Sequence, residues 1–134
     1  MIGSIRSEDE RLLGSPLTGR ILRCAITVHR HLGPGLLESA YRACVARELQ
    51  LAGLGVRQGA RIPFVYRNVE IDCGYRADLV VEEKVLVELK TVEKLLPIHD
   101  AQMLTYLKLA GIRVGILLNF NTVNLRHGLR RIVL

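Results

Sequence analysis

The chain has 134 residues, of which 49% are hydrophobic and only 4% aromatic, and its formal net charge is +6. This length and apolar content predict one folded domain with an aliphatic core, and they exclude a disordered chain. The basic charge favours polyanionic partners such as nucleic acid, because bound phosphates release counterions, although many basic proteins bind no nucleic acid.

The three cysteines, Cys24, Cys44 and Cys73, are far apart and odd in number. This pattern argues against a disulfide framework or a zinc knuckle, and it indicates buried free thiols in a reducing compartment. The first residues lack the pattern of a secretory signal, and no apolar run reaches the length of about 18 residues that a membrane span needs. We therefore expect a cytoplasmic protein without membrane association.

Two helices are predicted in the first part of the chain. Residues 1–14 carry mixed charge, and we expect a flexible N-terminal arm there, followed by one domain over residues 15–134. Ser15 as N-cap and Pro16 at the first helical position predict a helix that ends at the Gly-Pro pair 33–34. A second helix is expected from Gly35 to about Ala52.

The pattern then changes to strands that are separated by turns. Alternating and β-branched residues predict three strands, at residues 61–66, 69–81 and 85–91, with turns at 67–68 and 82–84. A third helix, opened by Pro97 and ended by Gly111, is followed by a short central strand at 114–118 and a last strand within 125–134, bent near Gly128. This order predicts a mixed α/β fold with helices packed on a single sheet.

The hairpin between Asp78 and Lys90 carries the residues that could form a metal-binding or catalytic site. A turn centred on Glu83 places Asp78 and Glu88 opposite each other, on the same strand face as Lys90. The other face of the hairpin is wholly apolar and must be buried. Opposed carboxylates repel each other, and a nearby lysine or a bound divalent cation would relieve that repulsion. A lysine beside such a cation orients water and stabilises developing negative charge, as metal-assisted hydrolysis of a phosphodiester requires.

The same residues are also typical of a simpler structure. An aspartate on one strand and Glu-x-Lys on the next often form only the solvated face of an amphipathic hairpin, which binds no metal.

Further segments of the chain resemble a known family. Residues 35–41, Gly-Leu-Leu-Glu-Ser-Ala-Tyr, match the signature G-x-x-E-x-x-Y of a family of small bacterial and archaeal proteins. Residues 75–81, 87–90 and 97–107 look like its following blocks, and the Asn-Phe pair at 119–120 fits its usual ending. The chain thus resembles the GxxExxY family of the PD-(D/E)xK nuclease superfamily from about Thr18 to Leu134.

The resemblance implies a single-domain nuclease-like α/β fold, with an αβββαβ core in which a mixed sheet is flanked by helices. It implies that Asp78, Glu88 and the backbone carbonyl of Leu89 bind Mg²⁺ or Mn²⁺, with Lys90 as the catalytic lysine. Two further residues would act close to the metal, namely Glu38 and Gln102.

These outlying residues also have simpler explanations. Glu38 lies in the first turn of its helix, where a carboxylate interacts favourably with the helix dipole. Tyr41 is one turn further on and can belong to the core, and Gln102 can form a surface pair with Tyr106.

Phosphate contacts are predicted for His99 and for the basic residues near the C-terminus, Arg126, Arg130 and Arg131. Alternatively, His99 is merely exposed and the arginines form a solvated edge that protects the last strand.

Three functions remain open on the sequence. The first is a Mg²⁺-dependent nuclease that hydrolyses phosphodiester bonds of DNA or RNA. The second is a non-catalytic nucleic-acid- or protein-binding module on a nuclease fold. The third is a purely structural hairpin in a homo-oligomer. A homodimer would suit a small nuclease that acts on two strands.

Overall fold

A computed structural model describes residues 15–134, so the expected arm at residues 1–14 lies outside the described residues. The helices and strands follow one another along the chain as α1 Pro16–Leu32, α2 Glu38–Leu51, β1 Val56–Arg61, β2 Val65–Tyr66, β3 Val69–Glu70, β4 Arg76–Val81, β5 Val85–Lys90, α3 Pro97–Ala110, β6 Val114–Asn119, a 3₁₀ turn Leu125–Gly128 and β7 Leu129–Val133.

The main sheet has five strands in the order β1-β4-β5-β6-β7, and β2 and β3 form a separate two-stranded hairpin. Among the strands of residues 15–134, only β5 and β6 pair in parallel, and α3 supplies the long crossover that parallel neighbours require. Apart from the small hairpin, the order α2, β1, β4, β5, α3, β6 gives the expected αβββαβ core with a mixed sheet, so the predicted fold class is confirmed. Within residues 15–134 no helix is long and apolar enough to cross a membrane.

Helices cover both faces of the sheet. The apolar face of the β4–β5 hairpin packs against α1 and α2 in one cluster, and it is buried as predicted. The opposite face is also covered, because Val80 and Leu86 pack under Met103 and Leu107 of α3. Burial on both faces explains why β5 reads as a nearly continuous apolar run that is interrupted by a single charged residue, Glu88.

The predicted helix ends are confirmed at α1 and α3. The Ser15 hydroxyl accepts a hydrogen bond from the Thr18 amide at 3.3 Å, and Gly33 ends α1 with a φ of 66°. Gly111 ends α3 in the left-handed region. Helix α2 begins at Glu38, three residues later than predicted, because Gly35 has a φ of 107° and the following turn is not helical.

The strand predictions before residue 76 are partly wrong. Strand β1 was not predicted, because it lies at a sheet edge and buries only one side chain, that of Ala60. Of the predicted strand at 61–66, residues 65–66 form β2, and Arg61 is instead the last residue of β1. The predicted strand at 69–81 is interrupted at 71–75, where the Asp72 carboxylate accepts the Gly74 amide at 3.1 Å and turns the chain. The bend expected near Gly128 is the 3₁₀ turn that precedes β7.

Two tight turns fix the hairpins. Arg67 and Asn68 have φ values of 47° and 69°, and Glu82 and Glu83 have 53° and 54°. Positive φ at both central residues is the geometry of type I′ turns, whose twist matches that of the flanking strands. The turns predicted at 67–68 and 82–84 are confirmed, and the second sets the register of β4 against β5.

The cysteines are less buried than expected. Cys24 and Cys44 are half-buried and Cys73 is exposed, all three as free thiols.

Tyr41 is a core residue that also fixes the loop before α2. Its side chain is fully buried and its ring stacks on Phe120 with a centroid separation of 4.4 Å. The hydroxyl donates to the Gly33 carbonyl at 2.5 Å and accepts from the Leu36 amide at 3.1 Å. The tyrosine of the G-x-x-E-x-x-Y signature thus joins the end of α1 to the start of α2.

Tyr41→Phe removes these two hydrogen bonds while keeping the stacked ring. We expect the free energy of unfolding to fall by about 1–3 kcal/mol, because two part-buried hydrogen bonds are lost and each contributes about 0.5–1.5 kcal/mol. Urea denaturation of the variant checks this, with Tyr66→Phe at an exposed position as the control. An unchanged free energy of unfolding would show that the loop is held by other contacts.

Candidate metal centre

Asp78 and Glu88 face each other where the ladder between β4 and β5 ends. The paired residues are Leu79 with Val87, Val80 with Leu86 and Val81 with Val85. Continuing this register places Asp78 opposite Glu88, as the sequence predicts. The next hydrogen bonds run from backbone to side chain: the Asp78 amide donates to Glu88 Oε1 at 2.9 Å, and the Leu89 amide donates to Asp78 Oδ2 at 2.8 Å.

Each carboxylate therefore bonds the backbone of the opposite strand. Two of the four carboxylate oxygens are held in this way, so both side chains are fixed in position. Asp78 Oδ1 and Glu88 Oε2 are not engaged in these two bonds. The expected ligand role of the Leu89 carbonyl stays a prediction, although the Leu89 amide is part of the same hydrogen-bond arrangement.

The interpretation of this face as a solvated hairpin surface is wrong. Glu88 is only 6% exposed, and its apolar neighbours on the same face are buried. Burial is the main cause that raises the pKa of Glu88 from its ordinary 4.5 to about 8, and the nearby charge of Asp78 raises it further. The Asp78 amide and the charge of Lys90 act in the opposite direction. The fold thus holds two carboxyl groups where both cannot easily be ionised.

Lys90 lies beside this pair at the end of β5. Its Nζ donates to Gln102 Oε1 at 3.2 Å, so α3 holds the lysine from the far side. Just beyond Lys90, the buried Asn119 bonds both backbone groups of Val92, donating to the carbonyl at 2.8 Å and accepting the amide at 3.2 Å. These contacts fix both the lysine side chain and the chain that leaves β5, and the Asn-Phe pair of the sequence signature includes this anchor.

Arg42 is a neighbour of the site that the sequence analysis missed. Its guanidinium approaches Asp78 Oδ1 to 3.7 Å from α2. Arg42 is one helical turn after Glu38, so their spacing places both on the same face of α2, and this was the signal available in the sequence. Glu38 itself is exposed at the first residue of α2, and among the described residues its carboxylate takes part in none of the hydrogen bonds or ion pairs.

His99 and Gln102 lie on the exposed side of α3, and together with Lys90 they line a cavity of about 490 Å³. The Leu96 amide donates to His99 Nδ1 at 2.8 Å. In the neutral ring the proton therefore lies on Nε2, which is the nitrogen left for other contacts. Gln102 thus bonds the lysine of the site, and it also forms the expected pair with Tyr106 through a side-chain hydrogen bond, although Tyr106 is buried.

The three C-terminal arginines do not form one patch. Arg130 and Arg131 are consecutive on β7 and project from opposite faces of the sheet. Arg130 is bound to Asp100 at 2.7 Å and to the Leu95 carbonyl at 3.1 Å, so it links β7 to α3. Arg131 is exposed on the edge strand and Arg126 lies on the 3₁₀ turn. Their phosphate-binding role stays a prediction.

The donor set fits a hard divalent cation that keeps part of its water shell. Among residues 15–134 there is no group of three or more His, Cys, Asp or Glu side chains suited to holding a metal, so the protein contributes a carboxylate pair. Mg²⁺ is commonly bound by one or two carboxylates together with waters and substrate phosphates, whereas structural zinc needs four protein ligands rich in Cys and His. Asp78 and Glu88 are therefore the residues that could hold Mg²⁺ or Mn²⁺.

Comparison with known proteins identifies the superfamily of the chain. The family model described as the PD-(D/E)XK nuclease superfamily matches residues 15–132, nearly the whole described chain. The chain therefore belongs to the PD-(D/E)XK nuclease superfamily. No curated protein and no solved structure matches the chain.

The raised pKa of Glu88 predicts how stability depends on pH in the absence of metal. Between the ordinary value of 4.5 and about 8, the folded protein keeps a proton that the unfolded chain loses. Stability is therefore greatest at the acidic end of this window and falls as pH rises, by up to about 1.4 kcal/mol per pH unit. Urea denaturation in EDTA at a series of pH values measures this slope.

Glu88→Gln should flatten that pH dependence and make the protein more stable than the wild type near pH 8. Glu93→Gln, at an exposed site, is the matched control and should leave the slope intact. A wild-type stability that rises with pH over this window would contradict the assignment of the raised pKa to Glu88.

Proposed function

We propose that the protein is a metal-dependent nuclease that hydrolyses phosphodiester bonds of nucleic acid. Asp78 and Glu88 would hold Mg²⁺ or Mn²⁺, with the Leu89 carbonyl as a further ligand, and Lys90 would be the catalytic lysine. The single observation that carries the proposal is the opposition of two carboxylates, with Glu88 buried, Asp78 half-buried and a lysine anchored beside them.

This arrangement is costly without a cation. Burial and mutual repulsion both disfavour the doubly ionised pair, and evolution of a stable hairpin alone would favour apolar residues at these positions. A divalent cation would reverse the sign of the interaction, because it attracts both carboxylates and favours the ionised form of Glu88. The loss of stability that this pair causes is therefore best explained by a role in binding a cation.

When bound, the metal would supply Lewis-acid stabilisation of the phosphate and a more acidic water. Lys90 has three N–H donors, and only one is needed for Gln102. The other donors can orient the attacking water and bond a non-bridging phosphate oxygen as its charge develops. Gln102 acts as a positioning residue, since its carbonyl oxygen restricts the flexible lysine side chain. Arg42 adds positive charge on the α2 side of Asp78.

The G-x-x-E-x-x-Y segment supports placement of the chain in the GxxExxY family. Its tyrosine is a core anchor, as described above. Its glutamate, Glu38, begins the helix that brings Arg42 to Asp78, which supports a role for this helix at the edge of the site. The net charge of +6 supports a polyanionic substrate.

One observation favours the second candidate, a module that binds nucleic acid or protein without cutting. The Arg42 guanidinium lies 3.7 Å from Asp78 and supplies a positive charge to the pair without any metal. The Arg42 side chain is 39% exposed, however, and exposed ion pairs stabilise proteins by less than about 1 kcal/mol. It is therefore a weak substitute for a divalent cation.

Substitution of the ligand and of the lysine should separate binding from chemistry. Asp78→Ala is expected to abolish both Mn²⁺ binding and Mg²⁺-dependent cleavage, whereas Lys90→Ala should abolish cleavage but keep metal binding, because Lys90 is not a ligand. The measurement is cleavage of labelled single-stranded and duplex DNA and RNA by each purified variant, with circular dichroism as the check of folding.

The matched controls are Glu93→Ala and Lys94→Ala, two exposed positions that change the net charge in the same way. Both should cleave at the wild-type rate. Cleavage at the wild-type rate by Asp78→Ala and Lys90→Ala would exclude this site as the catalytic centre. A complete absence of metal-dependent cleavage in the wild type on all four substrates would favour the binding module.

A further inference from the structure

The cavity next to Lys90 concentrates the aromatic side chains of the protein. It is about 490 Å³ in volume and is bounded by α3 and by the segment around the β2–β3 hairpin. Three of the six Phe and Tyr residues line it, namely Phe64, Tyr75 and Tyr106. A chain with so few aromatic residues thus places half of them around one opening.

The three rings contact one another in sequence. Phe64 and Tyr75 meet edge to face at a centroid distance of 6.2 Å, and Tyr75 and Tyr106 are 5.9 Å apart. Tyr106 is nearly buried against the core under α3, whereas the Tyr75 side chain remains 42% exposed. The rings therefore form a continuous aromatic wall that is anchored at Tyr106 and open at Tyr75.

This cavity adjoins the carboxylate site through Lys90. Lys90 and Gln102 line it and are hydrogen-bonded to each other. Tyr106 is also close enough to Glu88 for the carboxylate charge to raise the pKa of its phenol, after the larger effect of burial. A molecule whose phosphate lies at Asp78 and Glu88 would therefore have its attached group beside the aromatic wall.

Few polar groups interrupt the wall. His99, with Nε2 as its remaining donor, Gln102 and Thr105 supply hydrogen-bonding atoms at its rim. An apolar, aromatic cavity with a few polar groups suits a flat heteroaromatic ring, which stacks through its face and is hydrogen-bonded at its edge. A nucleotide combines such a ring with a phosphate.

We propose that this cavity takes an unpaired nucleobase adjacent to the scissile phosphate, so that the substrate is single-stranded nucleic acid. The inference rests on the proposed function, since it assigns the substrate class of the same site. Bases inside a duplex are stacked and paired and cannot reach a side cavity without being extruded, which costs a few kcal/mol. Unpaired bases are available to aromatic side chains at no such cost.

The segment that carries the open side of the wall has the properties of a nucleic-acid contact. Phe64 and Tyr75 flank the β2–β3 hairpin, a two-stranded sheet separate from the main sheet. The hairpin exposes Val65, Tyr66 and Val69, and Arg67 at its turn stacks over the Tyr66 ring at 5.8 Å. Arginine beside exposed apolar side chains suits a flexible polyanion with exposed bases.

The test measures fluorescence anisotropy with three labelled 12-nucleotide probes, in Ca²⁺ instead of Mg²⁺ to suppress cleavage. The probes are a single-stranded DNA, the same sequence as a duplex, and a strand of the same length with abasic sites in place of its bases. The wild type should bind the single strand about tenfold or more tightly than the duplex and the abasic strand.

Tyr75→Ala should weaken single-strand binding by about tenfold and leave the weak binding of the abasic strand unchanged. Tyr75→Phe, which keeps the ring, should retain wild-type affinity, and the unchanged abasic-strand binding of Tyr75→Ala shows that the alanine variant is folded. Leu51→Ala, at an exposed apolar position at the end of α2 that does not line the cavity, is the control and should lose less than twofold.

Equal affinity of the wild type for the single strand and the abasic strand would overturn the inference. So would unchanged single-strand binding by Tyr75→Ala. A wild-type dimer in light scattering that Tyr75→Ala converts to monomer would also overturn it, because the aromatic wall would then be an interface between two copies of the chain.

The same probes in Mg²⁺ distinguish this inference from the proposed function. Lys90-dependent cleavage of duplex and single strand at equal rates, without an effect of Tyr75→Ala, would leave the nuclease proposal intact and refute the single-strand cavity. Single-strand binding that depends on Tyr75, without cleavage by the wild type, would support the cavity and refute the nuclease.

Discussion

The structure depends on the opposition of Asp78 and Glu88 at the end of one β-hairpin. Each carboxylate accepts a backbone amide of the opposite strand, so the strands continue to be joined after their regular ladder stops at Leu79 and Val87. The two side chains are thereby held side by side, with Glu88 buried and Asp78 half-buried, and their charges repel. Lys90, Gln102 and Arg42 are arranged around this pair and reduce its cost, and a divalent cation would complete that compensation.

The sequence was sufficient for the central hairpin because local rules determine it. A type I′ turn with Glu82 and Glu83 at its centre fixes the register of β4 against β5. Strict alternation of side chains then decides which of them share a face. The order of helices and strands after residue 76 followed from capping and periodicity, and the superfamily resemblance agreed with it.

The missed features depend on tertiary contacts. Strand β1 has almost no apolar pattern, because it lies at the sheet edge, and the alternation at residues 69–75 suggested a strand in a segment that is turned by Asp72 and Gly74. The approach of Arg42 to Asp78 depends on how α2 packs against the sheet, which no local pattern reports. The aromatic cavity likewise arises from residues far apart in the chain, at 64, 75 and 106. The sequence indicated that aromatic residues are scarce but could not indicate that half of them meet.

The most direct test of the account is a calorimetric titration of Mn²⁺ into the wild type and Asp78→Ala, with a phosphorothioate oligonucleotide present so that substrate phosphates can complete the metal shell. We expect binding in the wild type, loss of binding in Asp78→Ala, and tighter binding as pH rises towards 8, because the cation displaces the proton of Glu88. Absence of binding to the wild type under these conditions, or equal binding to Asp78→Ala, would contradict a metal centre formed by this carboxylate pair.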